Sequence, residues 1–475
     1  MKRTFLLILL LVVSIGSVSV FASSTYKEHD NVNFKETVLY GDRSAADWLS
    51  LNLPIHHSSQ LFWDITCDFK DDVVVNTAYD FYPTSHYISP MDSSHGLYFV
   101  ANPDAVMYNP SDSLQPGLAA AYHEIFNSLE PGEEKEKTVY LKDYMDYYEF
   151  DLSFDFPNCS WHANTTELLY ADPEALKVDP TLIASNNIKE YFKIPVLDTE
   201  THTISVGKHA NGHLATLGGG TSESERFQME NWYVSTDNTC YFTFNPRSTE
   251  GNLVDLSELP EGFGIFALPY ERLSDDSKYD FSTVKTDQIS MVYPLDPAAE
   301  LYSLDINEDK TRIFLYTIEE EKLWQTVIDV ETMATLQKFS LIDMTPDTWP
   351  SIYNYSDFIA VFNTYTEEIT VFALNKSGEY EHHFTCDFQP EDFDGAYWYP
   401  SGLTYDGVRL ACTGTLRNHT FGNKDYCDFY IMIYTKDGLQ YVGRYDNSLD
   451  SGIDGDFYNY PCRCDFAETI DISWN

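Results

Sequence analysis

Residues Gln325–Leu341 read QTVIDVETMATLQKFSL, two apolar, β-branched runs on either side of the polar turn Glu331-Thr332-Met333. Alternation bounded by a short polar turn is the pattern of a tight antiparallel hairpin. The phrase recurs upstream, where VLDTET at Val196–Thr201 matches VIDVET at Val327–Thr332. A repeated hairpin predicts a modular all-β architecture, because a single hairpin cannot bury its apolar face alone.

A second recurrent signal is an aromatic or Cys, then Asp, then Phe. It stands at Cys67–Phe69, Tyr79–Phe81, Phe154–Phe156, Tyr279–Phe281, Cys386–Phe388, Cys427–Phe429 and Cys464–Phe466. Between these marks the chain repeats one order of events: inner strand, turn, second strand, loop, outer hairpin. Second strands are expected to centre near Leu97, Leu168, Tyr241, Ile313, Ile359 and Arg409. Outer hairpins are expected to start at Val196, Ile265, Val327, Val371 and Ile431. Spacings of roughly 45–75 residues suit four-stranded units with variable loops. The last unit is short of strands, and Leu61–Phe81 supplies two before the first full unit. N- and C-terminal strands sharing one unit would account for both and would remove exposed sheet edges.

This unit order resembles the β-propeller superfold over Leu61–Trp474. The fold class expected is therefore all-β, a propeller of about seven four-stranded blades, with six or eight as neighbouring counts. The resemblance is to blade order alone, without the Trp-Asp, kelch or quinoprotein signatures. Ser303-Leu304-Asp305 and Ser235-Thr236-Asp237 begin like a sialidase Asp box, but Asn307 and Thr239 stand where the Gly belongs.

Two stretches break the β pattern. Pro116–Leu129 places Leu118, Tyr122, Ile125, Phe126 and Leu129 at helical spacing, with Pro131-Gly132 as the stop. Pro180–Phe192 reads as a shorter helix with Pro at its start. Both are expected as insertions decorating one rim. The division expected is a signal peptide over 1–22, a polar N-terminal segment over 23–60, flexible or forming an edge, and a single propeller domain over 61–475.

The N-terminus has Lys2-Arg3, the apolar run Phe5–Val13, and Val20-Phe21-Ala22 before Ser23, the layout of a secretory signal. The run is shorter than a membrane span of about twenty residues. The expected location is secreted, periplasmic or at the cell surface, with no membrane insertion after cleavage. Cleavage removes Lys2 and Arg3 and no acid, taking the formal charge from −46 to −48. Such a field repels nucleic-acid phosphates and anionic lipid. Aromatic content of 15 % opposes disorder despite that charge. Eight cysteines leave disulfides and buried thiols both open, with Cys412 and Cys427 the best-placed pair across a hairpin near His419–Gly422.

Chemistry is harder to locate, and no catalytic, cofactor or metal residue is assigned. A G-x-S-x-G elbow is missing. His209 and His213 lie in a Gly-containing loop without a third ligand, and Gly218-Gly219-Gly220 lacks a phosphate-loop Lys and reads as a flexible linker. Asp305, Asn307 and Asp309 open like a Ca²⁺ loop, yet Lys310 and Tyr316 replace the Gly and Glu that such a loop needs, so a polar turn is expected. Asp450, Asp454 and Asp456 form another acidic loop, and Ca²⁺ is the one cofactor left in view. Tyr397, Trp398 and Tyr399 could stack on sugars or pack between blades. Asn158, Asn164 and Asn418 stand in sequons that matter only in a eukaryotic secretory route. The function expected is an exported binding or scaffold protein, its ligand a protein or a carbohydrate at the ring face or funnel. The rival is a propeller-type glycosidase or lyase with funnel carboxylates.

Overall fold

The computed structural model describes residues 11–19, 34–57, 61–70, 73–81, 96–101, 108–112, 115–156, 159–221, 224–271, 284–346, 348–363, 365–388, 398–416, 429–447, 464–466 and 471–475. Seven antiparallel sheets account for most of them. Two compact units emerge. One holds residues 1–92, 348–353 and 357–475, and the other holds 93–347 and 354–356.

The second unit contains two consecutive four-stranded meanders. One runs Asn231–Ser235, Thr239–Phe244, Gly264–Pro269, Ser290–Pro294, and the next runs Glu300–Ile306, Arg312–Glu319, Lys322–Asp329, Thr335–Asp343. The middle strands are apolar on both faces. In Thr239–Phe244 every residue after the first is buried, and Gly264–Pro269 is buried up to its last residue. A strand buried on both faces needs a packed layer on each side, so these sheets stack rather than face water. Phe99, Phe192, Phe242 and Phe266 meet edge-to-face or tilted, with centroids 4.9–6.1 Å apart.

The remaining two sheets of this unit interleave in the chain. Gly96–Ala101 pairs with Phe150–Phe156 and then Cys159–Asn164, while Glu134–Tyr140 pairs with Thr201–Lys208 and then Leu214–Thr221. The chain leaves the first sheet after Ala101, forms helix Leu118–Ser128 and strand Glu134–Tyr140, and then returns. It leaves again through helix Pro180–Tyr191. Both helices thus stand where the apolar spacing put them. Leu118, Tyr122, Ile125 and Phe126 are buried, and Asp179 caps the second helix by accepting from the Thr181 and Leu182 N–H groups.

The first unit has two further meanders. They are Ser351–Asn354 (whose last residue belongs to the second unit), Phe358–Asn363, Glu368–Leu374, Tyr380–Asp387, and Trp398–Tyr405, Leu410–Leu416, Phe429–Thr435, Gly438–Asn447. Phe34–Gly41 adds a fifth strand to the latter by pairing with Gly438–Asn447. A third sheet, Leu49–His57, Leu61–Phe69, Val73–Phe81, takes Cys464–Phe466 and Asp471–Trp474 onto its first strand. N- and C-terminal strands therefore do share sheets. Leu51, Leu53, Trp63, Ile65, Phe429, Ile431 and Tyr445 form the core beneath them.

Several expectations need correction. VLDTET does not form a hairpin: Asp198 and Thr199 lie in a turn, and the strand begins only at Thr201. Leu168 sits in the 3-10 helix Thr165–Leu169 rather than in a strand. IFALP is a strand, but its partner Ser290–Pro294 comes after a long connection, not a tight turn. Gly218–Gly220 belongs to strand Leu214–Thr221 and is no linker. Cys412 lies opposite Met432, so the cross-hairpin position proposed for Cys427 is taken, and Cys427 itself lies outside the described residues. Cys67, Cys240, Cys386 and Cys412 are buried free thiols.

Candidate functional site

Each meander opens with a strand that is less buried than the two that follow it. The four meander-opening strands share an apolar residue followed by Tyr, at Trp232-Tyr233, Leu301-Tyr302, Ile352-Tyr353 and Trp398-Tyr399, and the edge strand Gly96–Ala101 has the same pair at Leu97-Tyr98. In the second unit, Gly96–Ala101 and Asn231–Ser235 lie side by side, since Asn231 Nδ2 donates to the Leu97 carbonyl at 3.4 Å. The Tyr233 hydroxyl reaches over Gly96, where a Cβ would lie only 2.4 Å from it. Strand Asn231–Ser235 also packs beside Glu300–Ile306. In the first unit, Tyr353 similarly donates to the Pro400 carbonyl at 3.4 Å. First strands thus meet through their tyrosines within each unit.

On the second unit's face Tyr98 is exposed, while Tyr233 and Tyr302 are half-buried. Burial raises the phenol pKa of both half-buried rings, with the Cys240 thiol adding to it at Tyr233. Tyr302 stands at a β-bulge, where the register slips between Leu301 and Ser303. Three residues on, Asp305 accepts from Asn354 Nδ2 at 2.6 Å and from the Ile306 N–H at 2.7 Å. Tyr316 donates in turn to Asn354 Oδ1 at 2.6 Å. Burial pushes the Asp305 carboxyl above the usual carboxylate range, and the Asn354 and Ile306 donors pull the other way. Among the described residues with a resolved shift, it is the single carboxyl moved upward. The first strands thus carry an exposed ring and two half-buried ones, while the Asp305 carboxyl, the Asn354 amide and the buried Tyr316 hydroxyl are bonded to one another.

The turn reading of Asp305–Asp309 agrees with the geometry. Asn307 is buried and accepts from the Thr311 and Arg312 N–H groups, Asp309 accepts from Ser356, and Lys310 adopts a φ of +54°. The three side chains are turned to different partners, not converged on a point. No cluster of three or more metal-ligating side chains occurs among the described residues. His209 and His213 flank a hairpin turn, where the His209 N–H donates to the His213 carbonyl. Asn164 is an N-cap that accepts from the Thr166 N–H. Asp450, Asp454, Asp456, Tyr397, Asn158 and Asn418 lie outside the described residues, as do the side chains of Trp398 and Tyr399. Our reading of the sequence passed over Tyr98, Tyr233 and Tyr302. The apolar–Tyr pair ahead of each buried second strand was the signal that could have found them.

No known family and no curated protein matches this chain. Among solved structures it is similar to a periplasmic gluconolactonase of Pseudomonas aeruginosa, at 10 % identity over 89 % of this chain and 98 % of that one, with a TM-score of 0.29. A Synechocystis apocarotenoid oxygenase variant aligns at 11 % identity over 94 % and 96 %, with a TM-score of 0.26. The Swd1 β-propeller domain of Myceliophteria thermophila aligns at 6 % identity over 51 % and 82 %, with a TM-score of 0.22. Against a chain of a mitotic checkpoint complex, at 11 % identity and a TM-score of 0.24, the match covers 45 % of this chain and spans half of that one. One of these, the Swd1 domain, is a β-propeller by its description, and together they point to no single family.

Proposed function

We propose that this is an exported β-propeller binding protein, a ring of about seven four-stranded blades closed through its N- and C-terminal strands, that takes a protein or carbohydrate ligand on its first-strand face. The observation that carries the reading is the apolar–Tyr pair recurring on these neighbouring strands, with Tyr98 exposed and Tyr233 and Tyr302 half-buried. Tyrosine gives a large, rigid contact area with a polar rim at low entropy cost. A glycosidase or lyase would instead converge several carboxylates of perturbed ionisation on one point. Among the described residues with a resolved shift, Asp305 is the one carboxyl moved upward, and no second such carboxyl stands with it. The signal-like N-terminus supports export, and no helix among the described residues is long and apolar enough to cross a membrane.

The test is binding of the purified protein to immobilised neutral glycans and to peptides, for wild type and Tyr98→Ala. Because Tyr98 is exposed, its truncation leaves the fold intact, and ligand affinity should fall about tenfold. Turnover of a glycoside or a lyase substrate that Asp305→Asn abolishes would overturn the binding reading in favour of the enzyme.

A further inference from the structure

Strand Leu214–Thr221 forms one edge of the three-stranded sheet that also contains Thr201–Lys208 and Glu134–Tyr140. Its inner side pairs from Thr216 opposite Gly207 to Thr221 opposite His202, and a β-bulge between Leu214 and Thr216 confines any irregularity to the start of the strand, away from the glycines. Its outer side pairs with no strand among the described residues. The two edges of the sheet are treated differently. Glu134–Tyr140 begins Glu134-Lys135-Glu136-Lys137, all exposed, and such charges discourage an added strand. Leu214–Thr221 reads LATLGGGT and has neither a charge nor a proline.

Close approach explains only one of its three glycines. A Cβ at Gly219 would lie 2.1 Å from the Tyr122 hydroxyl and 2.5 Å from His202 Nε2, so no other residue fits. At Gly218 the nearest atom would be 3.8 Å away, and at Gly220 none lies within 4 Å. Glycine weakens a strand and often marks a bulge, a bend or a place that a ligand or another backbone approaches; the bulge of this strand lies at Leu214–Thr216, short of Gly218 and Gly220. Leu217 shares a face with Gly219 and is 43 % exposed, an apolar side chain left at the rim of the buried Ile204–Val206 row.

We propose that the outer side of Leu214–Thr221 accepts an added β-strand from an extended, positively charged segment of another protein, with an aromatic or apolar side chain lying over the glycines. Main-chain hydrogen bonds supply affinity in this mode and alternate side chains supply selectivity. A cross-strand aromatic covers an edge glycine well. Charge selects the partner: with 75 acidic against 29 basic residues, a second copy of this chain is repelled and a cationic segment is attracted.

The probe is a fluorescein-labelled synthetic peptide alternating Lys with Val and Tyr, titrated by anisotropy against the full chain, with hydrogen exchange followed over 214–221. Binding should be saturable and should slow exchange in that strand. Gly220→Lys, which has room for its side chain and supplies the missing edge charge, should weaken binding at least about tenfold, whereas Gly220→Ser should retain it. Thermal melts of both variants matching wild type confirm an intact fold. Tyr98→Ala should bind the peptide normally, which separates this edge from the first-strand face. Equal binding of the same peptide with Glu for Lys, or exchange over 214–221 that stays unchanged on binding, overturns the proposal. So does concentration-dependent self-association that slows the same amides without peptide.

Discussion

Asp305 couples its environment to pH in a direction that can be worked out. Its folded-state pKa is raised by burial, so between the ordinary carboxylate value and the raised one the folded protein holds more protons than the unfolded chain. Stability contributed at this site therefore falls as pH rises through that window. Asp305→Asn removes the titration and keeps a polar partner for Asn354. In urea unfolding across pH 4–7 the variant should match wild type at the acid end and gain on it toward neutrality; a variant that loses ground instead would contradict the assignment. Gly219 makes a second residue-scale prediction. Gly219→Ala must push aside the Tyr122 hydroxyl and His202, both buried, and should cost about 1–3 kcal/mol in the same assay, while Gly220→Ala has open space and should cost far less. None of this could be read from a Gly-Gly-Gly run, because glycine is depleted in strands and marks turns far more often. The second residue that forbids a side chain there is a helix tyrosine nearly a hundred positions upstream.

Among the elements, the VIDVET hairpin and its upstream copy show why an identical pattern can fold two ways. In Val327–Thr332, Asp329 accepts from the Thr332 N–H at 2.8 Å and from its hydroxyl at 2.7 Å, which closes the turn locally. In the copy, Asp198 is turned outward to Lys142, Thr199 donates to Glu225, and Glu200 is buried against Tyr148. Local turn chemistry won at the first site and tertiary partners won at the second. The hairpin just before VIDVET contains a strained turn: Glu320 and Glu321 have φ values of +51° and +59°. A two-residue turn of that kind prefers Asn-Gly, and each non-glycine residue there costs about 1 kcal/mol or more. Glu320→Asn with Glu321→Gly should raise unfolding stability by about 1–2 kcal/mol, measured as a shift in midpoint at constant m-value. Helix Pro180–Tyr191 is held by a charge pair, Lys189 Nζ to Glu149 Oε1 at 2.6 Å, where the Glu149 side chain is only 5 % exposed. Lys189→Met leaves that carboxylate buried without a cation and should cost about 3–5 kcal/mol. The double variant with Glu149→Leu should recover much of the loss, and a double-mutant cycle checks the coupling.

At the scale of the whole molecule, the last strand, Asp471–Trp474, is stitched into the first unit. Asp471–Trp474 covers Leu49–Asn52, and the Arg409 guanidinium stacks 3.9 Å over the Trp474 ring while donating to the Ala45 carbonyl at 2.9 Å. The Asn475 N–H donates to the carbonyl of Trp48, a residue held at φ +76°. Deleting residues 471–475 would free an apolar edge, strand the Arg409 stack and release Trp48. The truncated protein should lose unfolding stability and show faster exchange over 49–57, with the 93–347 unit unchanged in the same experiment. An unchanged exchange pattern over 49–57 would show that the terminal strand contributes nothing.

By itself the sequence determined the all-β class, the two helical insertions, and the hairpins starting near Val327, Val371 and Ile431. These depend on local periodicity and turn chemistry, which a linear pattern contains. The meander order of four sheets was legible for the same reason, because neighbouring strands are neighbours in the chain. The tertiary structure alone decided which strands interleave between residues 96 and 221, since Gly96–Ala101 pairs with Phe150–Phe156 and Glu134–Tyr140 with Thr201–Lys208, partners far apart in the chain. It alone brought the first strands together through Tyr233 over Gly96 and Tyr353 on Pro400. It alone raised the Asp305 carboxyl, because desolvation is a property of what surrounds a group and not of the residues beside it in the chain.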